Sequence, residues 1–410
     1  MEEHSLTLGG RGRRALALML VALVGLAVAA GLYLRSNAPS PSSPSPTPTL
    51  SSVAWISATS GWVVLTDQKT QRSVLFHTTD RGQHWDRRFA TVGGLAGVRF
   101  LDANRGLIQE QPASGTMPRV LRTDDGGAHW SPIPLPDEVA RRPSAVFFLD
   151  FARGWVLLTD ARGPLAQDAT LYRTENGGQD WTELVRVDVG HAVSHGITET
   201  GLKSGPWFRT ALDGWIGYQG TDGSGGLYVT HDGGREWHKA PLPEPPGGWN
   251  VGDALLLTPP GISDDGHGAL LVVDTNRLNA VVSNRSASAA SPAPVMGYAS
   301  RDGGETWQDP RPAPIGADPR LAGLVFVDGY TGWLAGGQTS WVTSDSGRAW
   351  LRRGQLPAGR YFAGIVPVDG SIAIAQVAMG RPSVLGDFRW RLVLTEDAGR
   401  TWRELPAPRL

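Results

Sequence analysis

The chain has 410 residues with 38 basic and 39 acidic side chains, a formal net charge of −1 at pH 7, and no cysteine. The balanced charge lacks the basic footprint that nucleic-acid binding requires, and the missing thiols exclude disulfides, thiolate metal ligands and a lipid anchor on cysteine. Its 53 glycines, 30 prolines and 16 tryptophans describe a turn-rich chain that uses large aromatic anchors.

Residues 1–14 form a short tail ending in Arg11, Arg13 and Arg14. From Ala15 to Leu34 an apolar run of twenty residues follows, long enough as a helix to cross the hydrocarbon core of a bilayer. Only Arg35 stands just beyond it, so the tail is expected to stay cytoplasmic and the remainder to lie outside, on a single-pass anchor in the cell membrane. Cleavage as a signal peptide at Ala27-Val28-Ala29 is the competing reading, but the run exceeds the usual apolar stretch of such peptides, roughly 7–15 residues. Residues 35–51 place proline at nearly every second position and favour an extended polyproline stalk.

Beyond the stalk, residues 52–410 repeat one phrase seven times. The copies run Thr78 to Trp85, Thr123 to Trp130, Thr174 to Trp181, Thr230 to Trp237, Ser300 to Trp307, Thr343 to Trp350 and Thr395 to Trp402. Each has Asp or Asn at its third place (Asp80, Asp125, Asn176, Asp232, Asp302, Asp345, Asp397), a glycine two residues on, and a closing tryptophan. A period of roughly 50 residues is the sign of a solenoid, propeller or array. Each copy reads as a hairpin turn: the carboxylate accepts from turn amides, the glycine takes a positive φ, and the tryptophan packs as a largely buried anchor. Residues repeated in seven separate turns cannot share one active site, so the boxes are structural.

A Gly-Trp pair opening an apolar strand precedes most boxes, at Gly61-Trp62, Gly154-Trp155, Gly214-Trp215 and Gly332-Trp333, with Gly106, Gly268 and Gly370 read at the same place in the other units. Apolar runs ending in Asp102, Asp150 and Asp328 supply a further strand. Each unit therefore holds four short strands, one propeller blade, and the domain is all-β with seven blades. An insertion stretches the fifth unit between Gly247 and Val295, and its Ser/Ala-rich part, about residues 276–294, reads as a disordered loop.

Together the boxes resemble the Asp-box (bacterial neuraminidase) repeat, and the Gly-Trp elements make the chain similar to the photosystem II assembly and stability factor family from about Ser52 to Leu405. The resemblance implies a seven-bladed, non-enzymatic scaffold facing the lumen or periplasm, without a cofactor, that binds a membrane or extracytoplasmic protein. A cell-surface carbohydrate-binding or sialidase/glycosidase-like propeller is the alternative.

The sialidase pattern fits poorly, because the nearest match to its Phe/Tyr-Arg-Ile-Pro segment is Phe208-Arg209-Thr210-Ala211 in mid-chain, and Tyr172, Tyr228 and Tyr298 fall in strands where they should be packed. Asp160, Asp253, Asp264 and Asp265 are read as loop acids, and His191, His195 and His267 as surface histidines rather than metal ligands. From Arg348 to Leu410 there are ten arginines against five acids, a basic sector in a mildly acidic molecule. The boxes occupy the turn between third and fourth strands, so a partner is expected on the opposite face. Arg72, Arg141, Arg142, Arg162, Arg352, Arg353, Arg360 and Arg381 are placed in its loops as candidate contacts to carboxylates or headgroups.

Overall fold

The computed structural model describes residues 48–112, 119–140, 145–163, 166–220, 223–249, 255–276, 294–314, 321–379 and 389–410. The anchor and the fifth-unit loop at 277–293 lie outside the described residues, and among those described no helix is long and apolar enough to cross a membrane. The rest is built of antiparallel strands whose order in each sheet follows the chain, so each unit is a four-stranded meander.

In unit one the first three strands are Thr49–Trp55, Gly61–Asp67 and Arg72–Thr78; the long strand Asp86–Phe100 closes unit one with its first half and opens unit two with its second. Unit two continues through Gly106–Pro112, Arg119–Thr123 and Ser131–Ile133. Unit three runs from Ala145–Phe148 to Thr182–Val187, and unit four from Leu202–Phe208 to His238–Pro241. Unit five spans Leu255–Leu257 to Gln308–Pro312 with Gly261–Ile262 prolonging its first strand, unit six Leu321–Phe326 to Leu351–Gln355, and unit seven Arg360–Pro367 to Arg403–Leu405. The first strand begins at Thr49, inside the stretch read as stalk, because Thr49 and Leu50 pair with Thr66 and Leu65.

The core lies between units. Trp62 and Val64 pack on Val98 and Phe100 of unit two, Trp155 and Leu171 on Phe208 and Tyr228 of unit four, and Trp333 and Val342 on Phe362 and Ile365 of unit seven. Unit seven in turn packs on unit one, with Val366, Ile374 and Leu392 against Val53, Trp55 and Val63. The Trp390 indole N–H donates to Pro48 O at 2.7 Å and that of Trp85 to Pro406 O at 3.1 Å across the same junction. Tyr172, Tyr228 and Tyr298 are all buried in their strands, as the pattern implied.

The Gly-Trp tryptophans link neighbouring units. Trp62 stacks on Phe100 with ring centroids 3.5 Å apart and Trp155 on Phe208 at 3.6 Å, while their indoles donate to the Gly126 and Gly233 carbonyls in the next unit's box at 3.3 and 2.9 Å. In unit seven the register puts Ala373, not Gly370, at the glycine position, since Ala373 faces Thr395 as Gly61 faces Thr78.

Every box makes the same three hydrogen bonds. In the first, Gly82 N donates to Thr78 Oγ1 at 2.8 Å, Thr78 Oγ1 donates to Asp80 Oδ1 at 2.9 Å, and Asp80 Oδ1 accepts from His84 N at 2.9 Å. The set recurs in the other six, with Ser300 replacing Thr once and Asn176 replacing Asp once. The amide of His84, then its ring, hold Asp80 down at about 2. The box glycines have positive φ as expected, and so does the residue before each, including the non-glycines Arg81, Ser346 and Ala398 at 65°, 62° and 58°.

The expectation that all seven box tryptophans are buried is corrected. Trp237 and Trp307 are 5% and 4% exposed, whereas Trp85, Trp130, Trp181, Trp350 and Trp402 are half-buried. These rings lie at the rim between units, where Trp85 and Trp181 cap a carbonyl of the neighbouring segment, Pro406 O and Pro134 O, and leave one edge to water.

Candidate functional site

Each box donates a backbone N–H to the turn between the first and second strands of its own unit, as in Gly126 N to Asn104 O at 2.7 Å and Gly233 N to Leu212 O at 2.9 Å. Side chains cap those turns: Asp102 Oδ1 accepts from Asn104 N and Arg105 N at 2.9 and 2.8 Å, and Asp328 Oδ1 from Tyr330 N and Thr331 N at 2.8 and 2.6 Å. Boxes and capped turns thus occupy the same end of each unit. At the other end lie the hairpins between second and third strands and the passages from unit to unit.

Three of the arginines sit at that other end, though at strand ends rather than in the loops where they were expected. Arg72 is exposed at the start of its unit's third strand, opposite Asp67 in the hairpin. Arg162 pairs with Asp168 at 2.6 Å across the equivalent hairpin of unit three. Arg360 opens unit seven and lies 3.5 Å from Glu404, whose other oxygen takes Arg391 at 2.6 Å. Arg352 and Arg353 are not in loops: they stand in the strand Leu351–Gln355 two and three residues after Trp350, at the box end, because the fourth strand takes up its ladder directly after the box. Arg352 donates to Gln355 Oε1 at 3.1 Å. Arg141, Arg142 and Arg381 lie outside the described residues. Part of the basic sector is internally neutralised, since Glu396 takes both Arg81 and Arg403 at 3.0 Å.

The residues weighed for enzymatic roles are held in structural contacts. Arg209 donates to Ser263 O and to Asp213, each at 3.1 Å. The Tyr172 phenol is raised to about 12 by burial and by its hydrogen bond to Glu138, which keeps it protonated. Asp160 lies in the strand Gly154–Gly163 rather than a loop, Asp265 accepts from Tyr330 Oη, and Asp253 lies outside the described residues.

His191, His195 and His267 are not brought together: His191 faces Asp188 at 3.1 Å, His195 faces Glu236 at 2.8 Å, and His267 stacks on Tyr330 with centroids 4.6 Å apart. A different set converges at the box end between units four and five. His231 is the second residue of the fourth box, His238 follows its tryptophan, and Glu305 belongs to the fifth; one ligand atom from each lies within 4.8 Å of the others. The Asp213 hydrogen bond raises the His231 pKa against the effect of burial, and Glu305 adds to it. Only alignment of consecutive boxes would have drawn these residues from the sequence, because Glu305 stands 67 residues from His238.

Residues 44–203 match the family of photosynthesis system II assembly factor YCF48. The chain is 30% identical over 142 residues to the photosystem II assembly lipoprotein Ycf48 of Synechococcus sp. (strain CC9902), covering 34% of this chain and 34% of that protein, so it spans about a third of the curated relative. A solved structure of YCF48 bound to D1 peptide has 18% identity and a TM-score of 0.45, covering 89% of this chain and 99% of that one. The β-propeller domain of the Trilobed protease from Pyrococcus furiosus, at 10% identity and a TM-score of 0.50, covers 88% of this chain and 96% of that domain and shares its fold. The chain is an all-β Asp-box protein that resembles the photosystem II assembly and stability factor family.

Proposed function

We propose that the chain is a seven-bladed propeller held at the membrane by residues 15–34, with 1–14 as cytoplasmic tail, 35–51 as stalk and the domain from about residue 52 on the extracytoplasmic side. It binds a membrane protein, or a segment of one, during assembly or stabilisation and does no chemistry on it. The observation that carries this reading is the family match over residues 44–203, which coincides with the boxes of the first three units and the Gly-Trp strands of the first and third. Packing of unit seven on unit one supports a closed ring. The chain has no cysteine, so its anchor differs in chemistry from that of the relative named a lipoprotein.

The binding surface is the end away from the boxes. Arg72 and Arg360 lie there on units that pack against each other, and a guanidinium suits bidentate contact with a carboxylate or headgroup.

Cross-linking in native membranes and co-purification test the reading, with the D1 peptide as first soluble probe. Arg72→Glu, Arg162→Glu and Arg360→Glu together are expected to leave the melting temperature nearly unchanged and to abolish partner recovery. Recovery that survives the triple change overturns the surface. Full-length protein is expected to stay in the pellet after a carbonate wash; a soluble form starting near Ala30 overturns the anchor.

A further inference from the structure

We propose that His231, His238 and Glu305 form a binding site for a divalent transition-metal ion of the zinc class, at the box end of the junction between units four and five. The inference is independent of the partner-binding reading, because it concerns the opposite end of the units and stands on side-chain geometry alone.

His231 is the second residue of the fourth box, His238 the first after its tryptophan, and Glu305 follows Gly304, the repeated glycine of the fifth box. The His231 Nε2 atom lies 2.6 Å from Glu305 Oε1, and His238 Nε2 lies 2.6 Å from Glu305 Oε2. The two rings are 6.0 Å apart between centroids. Both imidazoles therefore aim the same ring nitrogen at one carboxylate.

On its far side, His231 Nδ1 is 2.9 Å from Asp213 Oδ1. Asp213 is itself fixed, because its other oxygen accepts from Arg209 Nη2 at 3.1 Å and Thr210 Oγ1 at 3.0 Å. A neutral imidazole carries one proton. With a proton on Nδ1 toward Asp213, the Nε2 lone pair is presented as a ligand on the side where Glu305 holds its carboxylate. His238 Nε2 faces the other oxygen of the same carboxylate. One metal ion satisfies both contacts at once, with two imidazole nitrogens and a carboxylate as ligands and its remaining positions open to water.

That donor set suits zinc and its neighbours in the transition series rather than magnesium or calcium, which prefer oxygen throughout. A carboxylate on the far nitrogen of a ligating histidine is the usual second-shell arrangement, which fixes the tautomer and orients the ring. The other junctions contrast with this one: between units seven and one, the counterparts of His231 and His238 are Glu396 and Arg403, which form an ordinary ion pair at 3.0 Å.

The test is zinc binding by the full chain, purified in detergent without a histidine tag and titrated against a chromophoric chelator. One equivalent of Zn²⁺ is expected. His231→Ala and Glu305→Gln should each lower affinity by at least about tenfold, and Asp213→Asn by about 10–100-fold through loss of the orienting bond. X-ray absorption of the loaded protein should show two imidazole nitrogens. Metal-free circular dichroism and melting of each variant separate lost ligands from lost folding; should His231→Ala fail to fold, His238→Gln with Glu305→Gln decides. Failure of the wild type to bind one equivalent, or unchanged affinity in folded His238→Gln and Glu305→Gln, overturns the proposal and leaves a protonated His-Glu-His network.

Discussion

The Trp55 indole lies over the backbone of Gly61, its strand partner, so closely that a Cβ on Gly61 would stand 2.1 Å from the ring. The relation recurs around the molecule: Phe100 covers Gly106, Phe148 Gly154, Phe208 Gly214, Ile262 Gly268 and Phe326 Gly332. In unit seven the residue at the covering position is Pro367, which has no side chain of that reach, and its partner is Ala373. Glycine stands where a bulky side chain of the first strand folds across the second, and alanine where it does not.

Gly332→Ala is therefore expected to destabilise, because the new methyl would meet the Phe326 ring at 2.6 Å and Thr343 Cγ2 at 3.1 Å. Overpacking of this kind costs roughly 1–3 kcal/mol. Ala373→Gly should cost about 1 kcal/mol or more, through backbone entropy and the loss of a methyl fully buried in the core. Urea unfolding decides: a Gly332→Ala variant as stable as the parent would show that the covering ring does not set the residue.

In each box the hydroxyl is buried and the Asp or Asn side chain is near the surface. Thr230 Oγ1 accepts from Gly234 N at 3.0 Å in a buried contact, whereas Asp232 accepts from the exposed Arg235 and Glu236 amides. Thr230→Val should leave a buried N–H without its partner and cost roughly 1–3 kcal/mol. Asp232→Ala should cost less, since water replaces the lost acceptor. The reverse order in chemical denaturation would place the strain at the carboxylate.

His77 stacks on Trp62 at 4.2 Å, with Nε2 at 3.3 Å from Ser60 Oγ and Nδ1 accepting from Arg88 Nη2 at 3.5 Å. Burial, then the Arg88 charge, lower its pKa from 6.5 to about 4. Between those values the unfolded chain binds the proton and the folded one does not, so stability falls as pH drops from 6.5 toward 4 and levels below that. The loss is on the order of 3 kcal/mol. His77→Phe should flatten the dependence of the unfolding midpoint in that window; an unchanged slope would assign it to other groups.

Ala398 holds φ of 58° beside a box glycine, where a side chain costs roughly 1–2 kcal/mol relative to the right-handed region. Ala398→Gly should raise stability by about 0.5–1 kcal/mol after allowance for unfolded-state entropy. A lowered melting temperature would show that the methyl contributes packing that outweighs the strain.

Local signals were legible in the residues: the seven boxes, the strands on either side, and the Asp and Gly of each turn all act within a few positions of themselves. The role of the leading Thr or Ser was not read from the sequence, although it stands four residues before the glycine whose amide it accepts. Arg352 and Arg353 were misplaced because the distance from the box tryptophan to the first paired residue of the fourth strand is set by ladder pairing, which spacing alone does not display.

What only the tertiary structure decided is what lies between units. Which ring covers which glycine, which indole caps the next box, and which box tryptophan keeps an edge in water depend on side chains tens of residues apart. The meeting of His231, His238 and Glu305 is of this kind, since a repeat places equivalent positions side by side while the individual side chains at one junction diverge from those at the next. Sequence periodicity determined the repeated turn because its hydrogen bonds close within five residues; packing across a junction determined the chemistry because the chain returns to it only after a full unit.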